Sequence, residues 1–99
     1  MKKPIDAIVM NPKDNVAVAL HAIRGDSSVA ISVGTDILIH NVSQDIPSGH
    51  KFALCSIHPE EEIIKYGETI GKATADIGDG EHVHVHNLAS QRGRGDLKQ

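Results

Sequence analysis

The stretch Glu81-His82-Val83-His84-Val85-His86-Asn87 sets three histidines at every second position, with valines between them. Side chains of an extended strand alternate with period two, so a strand here puts three imidazoles on one face and Val83 and Val85 on the other. Same-face neighbours lie about 6.5–7 Å apart, close enough for two rings to reach one metal ion at N–metal distances near 2.1 Å. His82 and His86 are separated by roughly 13 Å on a straight strand. His82, His84 and His86 are therefore candidate metal ligands that need help from another segment, with His21, His50, Glu81 or an aspartate as possible donors. Two other readings stand beside this one: a general acid or base, and a solvated or subunit-facing strand of neutral, hydrogen-bonded rings.

Other residues invite chemistry. His50 and Lys51 follow the turn Asp45-Ile46-Pro47-Ser48-Gly49, where a strand start presents side chains at a sheet end. Arg92 and Arg94, set between glycines, suit bidentate contact with a carboxylate or phosphate, or a solvated tail. Seven histidines in 99 residues exceed ordinary usage: His50, His82, His84 and His86 in these segments, and His21, His40 and His58 elsewhere.

The elements that must position them are strands. One Tyr, one Phe and no Trp leave the core to twelve Ile and eight Val, and β-branched residues favour a pleated surface over a helix. Apolar stretches at Ile5–Met10, Val16–Ile23, Ser28–Val33, Ile37–Ile39, His50–Ile57, Ile63–Tyr66, Thr69–Thr74 and Glu81–Leu88 read as strands. Pro, Gly, Asn and Asp clusters separate them, and Gly34-Thr35-Asp36 reads as a hairpin turn. Pro59 with three following glutamates allows a short helical turn at most. Asp45-Ile46-x-x-Gly49 recurs as Asp76-Ile77-x-x-Gly80, two similar turns rather than a repeat array.

Size and charge narrow the function. A chain of 99 residues and net charge −3 holds one small domain and no broad basic surface, which argues against general nucleic-acid binding. The apolar runs are far shorter than the roughly 20 residues of a membrane helix, and Met1-Lys2-Lys3-Pro4 lacks a signal-peptide core. The single Cys55 allows no internal disulfide and suits a reducing compartment, so the expected location is cytoplasmic. The Arg-Gly-Asp triplets at Arg24 and Arg94 are read as chance, and no glycine pattern of a nucleotide site occurs. Residues 1–88 are expected to form the domain, with 89–99 a polar Gly/Arg-rich tail, flexible without a partner.

Four ordered blocks carry a resemblance. Asp14-Asn15-Val16-Ala17-Val18-Ala19-Leu20, Ile46-Pro47-Ser48-Gly49-His50-Lys51-Phe52-Ala53-Leu54, Ile63-Ile64-Lys65-Tyr66-Gly67-Glu68-Thr69-Ile70-Gly71 and Gly80-Glu81-His82-Val83-His84-Val85-His86-Asn87 together resemble the N-terminal SAF domain of the altronate dehydratase family. Arg92-Gly93-Arg94-Gly95-Asp96-Leu97 looks like members in which this domain is a separate small subunit. The resemblance implies an all-β fold, a β-clip with long loops. It also implies dehydration of a sugar acid to a 2-keto-3-deoxy acid, assisted by Fe2+ or Mn2+, with a large subunit supplying most of the active site. The small subunit of sulfolactate sulfo-lyase, which eliminates sulfite, and the galactarate dehydratases are similar. On this basis His50, Lys51 and His84 are the expected catalytic residues, and Arg92, Arg94 and Asn87 the expected substrate contacts. Lys51 or the arginine tail would hold the substrate carboxylate while an imidazole serves as ligand or acid/base group. The rival reading is a non-catalytic assembly module with interface histidines. Self-association is a further possibility.

Overall fold

The computed structural model describes residues 5–90, in which nine strands and no helix occur. Six form one sheet: β1 (Ala7–Val9), β2 (Val16–Ala19), β3 (Ser27–Val33), β4 (Asp36–Val42), β5 (Lys51–Ala53) and β8 (His82–Val83), in the order β4-β3-β1-β2-β5-β8. The others, β6 (Glu62–Lys65), β7 (Glu68–Ala73) and β9 (Leu88–Ser90), form a second sheet in the order β6-β7-β9. All pairings are antiparallel except β1 with β3. The domain is all-β, as the Ile/Val composition requires, and no helix among the described residues is long and apolar enough to cross a membrane.

Strand alternation builds two cores. Ala17, Ala19 and Phe52 face one side of the large sheet and bury with Val9, Ile31 and Val42. Their neighbours Val16, Ala53 and Val83 face the other side and bury against Ile63 and Ala73 of the small sheet. Phe52, the one phenylalanine, is fully buried, a contribution of about 1.5–3 kcal/mol. Asp14 and Asn15 tie the second sheet down: Asp14 Oδ1 accepts from Gly67 N–H at 2.8 Å and Asn15 Oδ1 from Ile64 N–H at 2.8 Å.

The echoed Asp-Ile turn proves to be half of a set. Ile23, Ile46, Ile57 and Ile77 are all buried, and three positions later each chain segment adopts positive φ, at Asp26 (61°), Gly49 (82°), Glu60 (74°) and Gly80 (83°). The isoleucines pair crosswise, Ile23 with Ile46 and Ile57 with Ile77, through two mutual N–H···O=C bonds of 2.8 Å in each pair. Each turn then launches a strand, β3, β5, β6 or β8. Sequence inspection finds the Ile46 and Ile77 copies because both carry Asp and Gly; the other two differ in every residue but Ile.

At Pro59, where the sequence allows a short helical turn at most, Glu61 N–H closes a tight turn onto His58 C=O at 3.0 Å and Glu60 is left-handed. Two expectations are corrected. Several strands are shorter than their apolar runs, β2 ending at Ala19 and β5 at Ala53, because the bridging isoleucines belong to the turns. Ala89 and Ser90, read as tail, continue the domain by pairing with Lys72 and Gly71.

Candidate functional site: an imidazole cluster at the end of β5 and β8

Two of the Ile turns deliver histidines to one place. Gly49 and Gly80 end their turns one and two residues before His50 and His82, and β5 pairs with β8 in the register Lys51↔Val83, Phe52↔His82. One more step of that register sets His50 opposite His84. The two rings stack, with centroids 4.0 Å apart and planes 17° apart. His50 Nδ1 and His82 Nε2 lie 2.8 Å apart in a hydrogen bond, so a single proton serves both atoms. The donor atoms of His50, His82 and His84 all lie within 4.8 Å of one another.

The strand that the alternation of His and Val suggests stops at Val83. Val83 is fully buried, but Val85 is 81% exposed. Asn87 causes the break. Its Oδ1 accepts from His84 N–H and its Nδ2 donates to His82 C=O, both at 2.9 Å, while its own N–H donates to His84 C=O at 3.1 Å. This Asx-type closure folds His84 to Asn87 into a turn. The turn brings His84 over His50 and leaves His86 exposed outside the triad, its ring 5.2 Å from that of His82. Asn87 is itself buried, with its amide committed to backbone, so the role visible for it is to hold the loop. Gln44, unnoticed in the sequence, fixes the other side by accepting from His82 N–H at 2.9 Å. No local signal marks it.

The electrostatics separate this cluster from the remaining histidines. His21, His40 and His58 each meet an aspartate, Asp6 at 2.8 Å, Asp79 at 2.6 Å and Asp76 at 3.2 Å. Among the described residues no carboxylate bonds to His50, His82, His84 or His86. Burial, followed by the neighbouring His50 charge, pushes the pKa of both His82 and His84 below the usual histidine value. His84 Nδ1 is buried and has no hydrogen-bond partner. Burial thus biases the His82 and His84 rings toward the neutral form that a metal ion needs in its ligands, and His84 offers an orphaned nitrogen.

The donor set therefore fits a divalent metal through His50, His82 and His84. Donors on one tetrahedral ion sit about 3.4 Å apart, given metal–nitrogen bonds near 2.1 Å, so the rings would close by small rotations and the His50–His82 hydrogen bond would open. All-imidazole coordination suits Fe2+ or Zn2+ better than Mn2+, which favours carboxylate oxygens.

The remaining expected site residues fall elsewhere. Lys51 follows His50 in sequence, but alternation sends it to the opposite face, where it lines an open groove with Lys65, Tyr66, Thr69 and Ser90. Burial and then Lys65 lower its pKa. Arg92 and Arg94 lie outside the described residues.

The class of protein is thus a small two-sheet β domain, most of it scaffold, that brings three imidazoles together at a sheet end. Comparison with known proteins gives it a family. Residues 5–91 match the altronate/galactarate dehydratase SAF domain, and the chain belongs to that family. It is 44% identical over 81 residues to altronate dehydratase of Bacillus subtilis, covering 81% of this chain and 15% of that protein. It is 45% identical over 93 residues to (2R)-sulfolactate sulfo-lyase subunit alpha of Chromohalobacter salexigens, covering 89% of this chain and 97% of the relative. Galactarate dehydratase (L-threo-forming) of Escherichia coli is 36% identical over 70 residues, 12% of its length. The chain thus spans a small fraction of the dehydratases and nearly all of the sulfo-lyase subunit.

Proposed function

We propose that this chain is the small subunit of a lyase that acts on a 2-hydroxy acid, working with a separate large chain. The observation that carries the reading is the nearly end-to-end match to a subunit alpha, joined to family membership shared with the dehydratases. In the first form the enzyme removes water from a sugar acid such as altronate. The coverage of 97% favours a second form, elimination of sulfite from sulfolactate. Both need the same chemistry: the weakly acidic proton beside the carboxylate is taken while the substituent at the next carbon leaves.

Within that enzyme His50, His82 and His84 hold an iron-type divalent ion, which supplies Lewis acidity for the developing negative charge. The chain's own contribution is binding and order. Asn87 and Gln44 fix the backbone of the ligand loop, and no acid bonds to the trio among the described residues. His86 stands exposed beside His82, with its ring open to solvent and substrate.

The test is co-purification with the cognate large chain, followed by assays with altronate and with sulfolactate. Turnover of either acid only when both chains are present supports the proposal and selects its form. Full activity of the large chain alone refutes it.

A further inference from the structure

Among the described residues, a run of exposed large apolar side chains lies on β4. Ile37, Leu38 and Ile39 are consecutive and 56%, 54% and 59% exposed. Pairing with β3 assigns their faces: Leu38 lies across from Ile31, whereas Ile37 and Ile39 lie across from Ser32 and Ala30 and so point the other way. The hairpin is therefore apolar on both faces at once. On the Leu38 face an apolar pocket of about 190 Å³ opens between Val9, Ile31, Val33 and Leu54. Among the described residues β4 is also the terminal strand of its sheet, pairing with β3 alone, and it leaves its outer edge without a strand neighbour. An exposed apolar run of this kind on an edge strand, even one flanked by Asp36 and His40, is a liability unless something covers it.

We propose that the β3–β4 hairpin is the arm by which this domain docks into an apolar groove of the large chain; the inference rests on the two-chain reading above. The occupant follows from geometry and from the relatives. A second copy pairing edge to edge through β4 would satisfy the backbone and leave apolar side chains uncovered on the faces, whereas a groove closing around the arm covers both faces. In altronate dehydratase of Bacillus subtilis the matched segment is 15% of the protein, so the polypeptide beyond it is large enough to supply such a groove.

The same strand leads to the imidazole trio. Beyond β4, Ser43 N–H donates to Gly80 C=O at 3.0 Å and Gln44 accepts from His82 N–H at 2.9 Å. An open groove lined by Ile39, His40, Ser43 and Asp79 runs beside this path. From Ile39 to Gln44 is about 17 Å of extended chain, so a partner that grips the arm reaches the His82 loop along one continuous surface.

The experiment titrates the full chain and two variants, Ile37→Ser/Ile39→Ser and Leu38→Glu, against the cognate large chain, with sedimentation and thermal unfolding of each small chain alone. The expected result is at least a tenfold weaker complex for both variants, unchanged melting curves, and monomers throughout. Variants that bind as tightly as the original chain overturn the arm and leave the two-chain reading intact. A dimer of the small chain that the variants dissolve assigns the arm to a second copy and also overturns the proposal. Failure of the unsubstituted chain to bind defeats both readings.

Discussion

His50 stacks on His84 with ring centroids 4.0 Å apart, although the two belong to segments that meet only through the pairing of β5 with β8. The stack, the His50–His82 hydrogen bond and the orphaned His84 Nδ1 describe three rings held ready at one point. Placement sets them apart: three other histidines of the same chain are given aspartate partners, and among the described residues these are not.

The first prediction concerns metal. Isothermal titration of the isolated chain with divalent ions should give tighter binding of Co2+ and Zn2+ than of Mn2+, the order expected for nitrogen donors. His50→Ala, His82→Ala and His84→Ala should each weaken Co2+ binding at least tenfold, and His86→Ala by less than threefold. Equal losses for His84→Ala and His86→Ala would refute the triad. Assayed with the large chain, His84→Ala should lower kcat/KM at least tenfold.

Asn87→Ala removes two side-chain hydrogen bonds from a buried position and should destabilise the fold by about 1–3 kcal/mol, with a parallel loss of metal affinity. Asn87→Asp keeps the acceptor for His84 N–H but sets a carboxylate oxygen against His82 C=O at a buried position. It should be at least as destabilising as Asn87→Ala in urea unfolding. An Asn87→Ala variant as stable as the parent, with lost activity only, would instead make Asn87 a substrate contact.

Two left-handed glycines should respond differently. At Gly49 an added Cβ meets nothing within 4 Å, so Gly49→Ala bears only the backbone penalty of about 1–2 kcal/mol. At Gly80 the Cβ would lie 2.6 Å from Asn41 O and 3.0 Å from Ser43 N, all backbone. Gly80→Ala should therefore be the more destabilising in thermal unfolding and should also shift the His82 loop, visible as changed imidazole NMR signals. Similar melting temperatures for the two variants would contradict this.

His21 should titrate high. Its two ring nitrogens face acceptors, Ala22 C=O at 2.8 Å and Asp6 at 2.8 Å, and first the carbonyl and then the carboxylate raise its pKa. A raised folded value stabilises the fold fully below the unfolded pKa of about 6.5 and loses that contribution as pH climbs through the folded value. The stability gap between the parent and His21→Ala should thus shrink from pH 5 to pH 8. A gap that widens over this range would reverse the sign.

Strand content was legible in the sequence because Ile and Val dominate an aromatic-poor core, and the Gly34 hairpin was legible from its turn residues. The Ile57 and Ile23 turns were not: at Glu60 and Asp26 the left-handed position is filled without glycine, so the usual marker is missing. Around the site, the period-two rule was right about His82 and Val83 and failed at His84, where Asn87 reaches back to the backbone and ends the strand. Alternation sees only neighbours. The convergence of His50 with His82 and His84 depends on a register between strands far apart in sequence, which no local pattern encodes. The same alternation did carry information that sequence adjacency hides, in that His50 and Lys51 must face opposite sides of β5.

The crosswise pairing of the four Ile turns also orders events in time. The turn that launches His50 closes on Ile23, whereas the turn that launches His82 closes on Ile57; Asp14 and Asn15 bond the second half to the first, and the trio is completed when β8 pairs with β5. Contacts of such sequence separation form late and slowly. During synthesis His50 leaves the ribosome well before Asn87, and a chain stopped short of Asn87 has no closed loop to offer an ion. On the proposed metal reading, capture by this trio would wait for the finished domain, and an imidazole–metal signal would report that folding is complete.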